Sequence, residues 1–320
     1  MLATKRDINI NGVTVAQTPA IVPSFSSKGF PEVAKIIESL SSIITESALV
    51  SAYDLSHGFI ETPPHYPEYL ILDSGGYECG KDMELSDIRS NNYEPAEWAL
   101  DLLKVQLDKW SAPQPTLAVS YDHPKQRVSL NDQIARAREL FENRNFGREL
   151  LIKPISNTSS RIDISEVLSH IYEFRDFDVI GFTEKELGFS IFDRMKKIAK
   201  VRMAMENAGI KIPIHIFGSL DTISTPLYFI AGADIFDGLT WLRYSYSNGE
   251  AVYQKNAAAL KYGIHINDDD IDPKVWFDNY QAMVDLQFSM KRYLKEQTFE
   301  PFGRHAEFFK QAYGKLQAEI

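Results

Sequence analysis

The segment Leu70-Ile71-Leu72-Asp73-Ser74-Gly75-Gly76-Tyr77 holds the residues best equipped for chemistry. An apolar run stops at an acid, and two glycines and an aromatic ring follow at once. A buried strand whose tip meets a ligand ends this way. The acid can handle a proton, the glycines let the backbone come close, and the ring can lie flat on a planar group. A second acidic strand end, Ala233-Asp234-Ile235-Phe236-Asp237-Gly238, comes much later. Two carboxylates on two strand tips are the minimum equipment for cleaving a glycosidic bond.

Elements that would hold these acids can be read around them. Short apolar runs recur at 21–25, 48–53, 69–72, 116–121, 149–153, 178–182, 212–217 and 233–236. They are rich in Val, Ile, Leu and Tyr, as strands buried on both faces should be. Helical patterns alternate with them at 31–44, 93–110, 130–145 and 191–207, with Gly147 and Gly209 placed as helix stops. Eight strands alternating with helices predict an α/β fold, a (β/α)8 TIM barrel; an open doubly wound sheet is the alternative. Residues 1–20 read as a capping hairpin that turns at Asn11-Gly12. Residues 21–262 form the barrel and 263–320 a C-terminal helical extension, with helices over 274–295 and 304–316.

Catalytic groups in such a barrel sit at the carboxyl ends of the strands. Those ends supply Asp54, Asp73, Asp122, Lys153, Thr183 with Glu184, Gly218 and Asp237. Each acid has a plainer role open to it, capping the helix that follows. Alternation sets Asp234 and Phe236 on one face and Ile235 and Asp237 on the other, which favours Asp237 as the reactive acid. His215 and His265 alternate with isoleucines and read as structural. No His-x-His or HExxH spacing occurs, and a metal or other cofactor is not expected.

Composition narrows the class. The single cysteine, Cys79, excludes an intramolecular disulfide and a multi-cysteine zinc site. No apolar run reaches membrane-spanning length and the N-terminus lacks a secretory h-region, so a cytoplasmic protein without membrane partners is expected. The net charge of −10 argues against a generic nucleic-acid coat. It leaves room for a local basic face at Lys196, Lys197, Lys200 and Arg202, or at Lys291, Arg292 and Lys295, each of which otherwise reads as a solvated helix face.

Asp73-Ser74-Gly75-Gly76-Tyr77 resembles a signature of the tRNA-guanine transglycosylase family, the queuine/archaeosine tRNA-ribosyltransferases. Gly232 to Asp237 resembles that family's second signature, with Arg243 six residues on. Ser120-Tyr121-Asp122 falls where the family has a base-binding Asp, and Val179 to Thr183 resembles its glycine-containing loop. The resemblance runs from about residue 18 to 250. It implies a pentosyltransferase that exchanges guanine in a nucleic acid for a 7-deazaguanine base, through a covalent aspartyl-glycosyl intermediate. Asp237 would be the nucleophile and Asp73 the acid/base. Ser74, Gly75, Gly76, Tyr77, Asp122, Lys153, Gly181, Phe182 and Arg243 would contact the substrate, Tyr77 by stacking and Asp122 at the base edge. The base must leave its stack for this chemistry.

Three departures from the family stand out. A zinc site of three cysteines and a histidine cannot form after the barrel; Asp278 stands where the histidine would be, so packing alone would hold the extension. Leu151-Ile152-Lys153-Pro154 replaces a glutamine-glycine-glycine segment, leaving Lys153 or Asn157 to contact the base. Glu78 replaces a glutamine. The pattern fits a zinc-less branch whose polymer is DNA or tRNA, with a lean to DNA modification. Partners would be that nucleic acid, guanine or a free 7-deazaguanine base, and a protein that helps grip the polymer. The other readings are a non-catalytic nucleic-acid-binding subunit of a transglycosylase and a nucleoside hydrolase.

Overall fold

A computed structural model of the chain describes residues 1–80 and 93–320. Its first elements are β1 (Asp7–Ile10) and β2 (Val13–Gln17), paired as a two-stranded sheet. Asn11 and Gly12 both take positive φ, 53° and 78°, as the two-residue turn between twisted strands requires.

The strands and helices that follow alternate: β3 (Ala20–Pro23), α1 (Val33–Leu40), β4 (Ser47–Ser51), α2 (Ala52–Ser56), β5 (Tyr69–Asp73), α3 (Leu100–Lys109), β6 (Thr116–Val119), α4 (Leu130–Phe141) and β7 (Gly147–Ile152). Next come α5 (Ile164–Ser169), β8 (Val179–Thr183), α6 (Glu184–Leu187), α7 (Ile191–Asn207), β9 (Ile214–Phe217), α8 (Ser224–Ile230) and β10 (Ile235–Gly238). β3 to β10 form one all-parallel sheet in the order β3-β10-β9-β8-β7-β6-β5-β4. Ser24, just past β3, bridges to Leu49 in parallel. The fold is a (β/α)8 barrel. Its strands are buried on both faces, as the continuous apolar runs require. α1 buries one stripe, Val33, Ile36, Ile37 and Leu40, whereas α8 is buried along its whole length.

The chain divides into two compact units. One comprises residues 8–15 and 24–182, with β4 to β7 and most of β8; the other comprises 1–7, 16–23 and 183–320, with β3, β9, β10 and the C-terminal elements.

In the second unit the chain continues through α9 (Thr240–Arg243), the hairpin β11 (Ser245–Ser247) and β12 (Glu250–Val252), α10 (Gln254–Tyr262), α11 (Asp268–Glu296) and α12 (Ala306–Glu319). α10 and α11 pack through Ala258, Ile266, Ile271 and Val275. Asp278 accepts hydrogen bonds from Lys261 Nζ at 2.7 Å and from the Tyr262 hydroxyl. None of the described helices is long and apolar enough to cross a membrane.

Three sequence expectations need correction. Gly147 does not stop a helix. It opens β7, where a Cβ would come within 2.9 Å of Ile10 and 3.0 Å of Leu117, and the turn after α4 is made by Asn143 at φ 58°. The helix expected from residue 93 begins at Leu100. Residues 96 and 98 are instead tied to other segments: Ala96 N–H donates to the Tyr53 hydroxyl, and Trp98 Nε1 to Ser74 O. His265 lies in an exposed turn, not in a core.

Candidate functional site

In the unit that holds residues 24–182, Asp73 ends β5 and its Oδ2 accepts the Gly75 amide at 2.9 Å. This small Asx turn fixes the carboxylate at the strand tip. Gly75 takes φ +87°, and a Cβ there would meet Tyr53 Cβ at 2.7 Å and the Trp98 ring at 2.8 Å. At Gly76 a Cβ would meet Asp122 Oδ2 at 2.6 Å. The two glycines thus make room for the protein's own side chains, where the sequence suggested room for a ligand. Ser74 is buried; its hydroxyl accepts the Asp122 amide at 3.3 Å, tying the ends of β5 and β6 together.

Asp122 itself sits in an ionic clamp. Arg127 pairs with Oδ1, and Lys153 Nζ lies 3.1 Å from Oδ2. Lys153 is held by Gln133 of α4, which accepts its amide at 2.9 Å and donates to its carbonyl at 3.0 Å. Asn157 stays on the neighbouring loop, bonded to Arg127 N–H and Lys125 O. Ser120, Tyr121, Asp122, Arg127, Gln133 and Lys153 all line one pocket. Gly181 lies within β8, opposite Leu151, and Phe182 is fully buried beside it; this segment is strand, not the loop the resemblance implied.

Tyr77, the expected stacking platform, already carries a cation. Lys28 Nζ lies 4.4 Å from its ring centroid and donates to Tyr77 O at 3.1 Å and Gly80 O at 2.8 Å. Lys28 is itself buried, and nothing in its sequence setting marks it.

Beneath this turn lie two buried acids. Glu78 accepts from Ser26 Oγ at 2.5 Å and Ser51 Oγ at 2.9 Å. Asp54 accepts from Ser27 Oγ at 2.5 Å and Ser27 N at 2.8 Å. Asp54 belongs to α2 and is not a strand end. Burial pushes both carboxyls up, Asp54 to about 6 and Glu78 to about 7; the Asp54 charge adds to the rise at Glu78, and the serine hydrogen bonds oppose it. Burial also raises the Cys79 thiol to about 12, so it is not a nucleophile at neutral pH.

In the other unit, Asp237 lies near the end of β10. Its Oδ1 accepts the Gly218 amide at 3.0 Å, and its backbone oxygen accepts the Leu220 amide at 2.9 Å. A Cβ at Gly238 would come within 3.1 Å of Leu220 N, so a glycine there keeps this approach open. His215 Nε2 lies 3.3 Å from Asp237 Oδ1. Alternation with isoleucines makes this histidine read as structural, and its neighbour on β10 is invisible along the chain. Asp234 is the structural acid, as alternation predicts: it is buried between Arg6, at 2.8 Å, and Arg202, and accepts Ile214 N–H at 2.8 Å. Arg243 ends α9, half-buried.

The models of known protein families and the sequences of curated proteins contain no match to this chain. Among the described residues, no group of three His, Cys, Asp or Glu side chains is arranged to hold a metal ion.

Proposed function

We propose that the chain is a nucleic-acid guanine transglycosylase, acting on DNA or tRNA with a lean to DNA. The observation that carries this reading is that each of two strand-end carboxylates is held by a backbone N–H: Asp73 by Gly75 and Asp237 by Gly218. Tethered carboxylates keep one orientation, which a nucleophile and a proton carrier both need.

In the proposed reaction an Asp237 oxygen bonds to C1′ of the target nucleoside. The C1′–N9 bond breaks and its electron pair leaves with guanine, which takes its proton from Asp73. The incoming 7-deazaguanine base then gives its N9 proton to Asp73, and N9 attacks C1′. The ester C1′–O bond breaks and frees the Asp237 carboxylate. Tyr77 would stack on the base and Arg243 would hold ribose or phosphate. Asp122, paired with Arg127 and Lys153, would offer the base edge a mixed set of donors and acceptors. Lys153 would take over from the missing glutamine-glycine-glycine segment.

Exchange of radiolabelled guanine into unmodified tRNA and into unmodified duplex DNA tests the proposal, with Asp237→Asn as control. Label is expected in one polymer and is lost, by at least a hundredfold, in the variant. Polymer binding that survives Asp237→Asn, with no label transferred, would instead support a binding subunit. Cleavage of free nucleosides would support a hydrolase.

A further inference from the structure

We propose that His215 is the positioning residue for the Asp237 carboxylate, an inference that rests on the reading of Asp237 as nucleophile. Parallel pairing sets Ile235 opposite His215 and Phe236 opposite Ile216. His215, Phe217, Ile235 and Asp237 therefore share one face of the sheet, since side chains alternate along each strand. The imidazole is fully buried and lies on the Phe217 ring, with centroids 3.9 Å apart and planes 29° apart. Packing on that face holds the ring in place, and its Nε2 lies 3.3 Å from Asp237 Oδ1.

The same oxygen accepts the Gly218 amide at 3.0 Å. That hydrogen bond, with the imidazole edge close beside the same oxygen, sets the plane of the carboxylate, and with it the direction in which the second oxygen points. When the second oxygen bonds to C1′, Oδ1 becomes the ester carbonyl oxygen. When the ester is cleaved, negative charge returns to Oδ1 and Oδ2 together. An N–H on Nε2 would stabilise that returning charge and keep the leaving carboxylate in line. Its effect falls on both chemical steps and not on substrate affinity.

Two variants test this in the exchange assay, with kcat and KM measured per folded site. His215→Phe keeps a ring against Phe217 and removes the N–H. It should lower kcat by about 10- to 100-fold, the range for a lost hydrogen bond to a charged group, and leave KM within about twofold. His215→Gln restores an N–H of similar reach and should recover part of the lost kcat. A purely structural role would lower the melting temperature of both variants and leave kcat per folded site unchanged. That outcome overturns the inference, as does kcat of His215→Phe within twofold of wild type, or failure of both variants to fold. Loss of the underlying reading has a separate signature: wild-type exchange that is absent, or that persists in Asp237→Asn.

Discussion

Glu78 is a buried carboxyl that accepts from Ser26 and Ser51, next in sequence to a tyrosine expected to carry substrate. Its proton affinity is raised to about 7 in the folded chain against an ordinary 4.5, chiefly by burial. A raised acid stabilises the fold in one direction only. Between pH 4.5 and 7 the folded state holds the proton that the unfolded state has lost. The contribution is complete below about 4.5 and disappears as pH rises through about 7. Glu78→Gln removes this titration. Urea unfolding should therefore show the wild type losing on the order of 2 kcal/mol more than the variant between pH 5 and pH 8. Equal losses would mean that Glu78 is ionised at both pH values. None of this is legible along the chain, because Ser26, Ser51 and Glu78 are far apart in sequence. The acids at 73 and 237 are legible because each sits where an apolar run ends. His215 and Lys28 are not, because a histidine between isoleucines and a lysine in a loop look ordinary until the fold brings in their neighbours.

At the scale of elements, α11 does the work that sequence assigned to packing alone. Asn279 is fully buried on it. Its Oδ1 accepts the Tyr246 amide at 2.6 Å, and its Nδ2 donates to Trp241 O at 2.5 Å and Tyr244 O at 2.6 Å. Trp276 Nε1 donates to Leu242 O at 3.1 Å. These bonds staple α9, and with it Arg243, to the long helix. Asn279→Ala would strand a buried amide and two carbonyls. It should cost about 2–3 kcal/mol in urea unfolding; Asn279→Ser, which keeps one acceptor and one donor on a shorter side chain, should cost less. A loss under about 0.5 kcal/mol in the alanine variant would show that the staple carries no load. Element identity was readable from periodicity: α7 spans 191–207 as its pattern predicts, with Ser190 capping it through the Asp193 amide. Boundaries failed where tertiary bonds outbid local preference. Residues 96 and 98 are drawn to Tyr53 and Ser74, and Gly147 is claimed by a strand that needs room for Ile10.

For the molecule as a whole, a net charge of −10 has to be reconciled with the polyanionic substrate we propose. The basic faces visible in the sequence are largely spent within the protein. Lys196 pairs with Glu319 at 2.9 Å, Lys197 with Asp193 at 3.2 Å, and Arg292 with Glu296 at 2.8 Å, while Arg202 is buried against Asp234. Around the Asp122 pocket the charge is of the other sign, with Arg127, Arg136 and Lys153 lining it and Lys125 exposed on the adjoining loop. Polymer contacts should then be few and local. Each phosphate contact lowers log affinity by about 0.9 per decade of salt, so about three contacts weaken binding ~40-fold between 50 and 200 mM salt, against at least 10³-fold for a protein with six or more. Fluorescence anisotropy with duplex DNA should show the shallow slope. Lys125→Glu should weaken binding several-fold and flatten the slope by about one contact, and Lys196→Glu should change neither. A slope of six contacts, or equal effects from the two variants, would place the polymer on the helix faces instead of beside the pocket. A shallow slope would also give a reason for the proposed partner protein: about three phosphate contacts would hold a polymer weakly at physiological salt, and a second subunit would supply the grip that an acidic chain gives up.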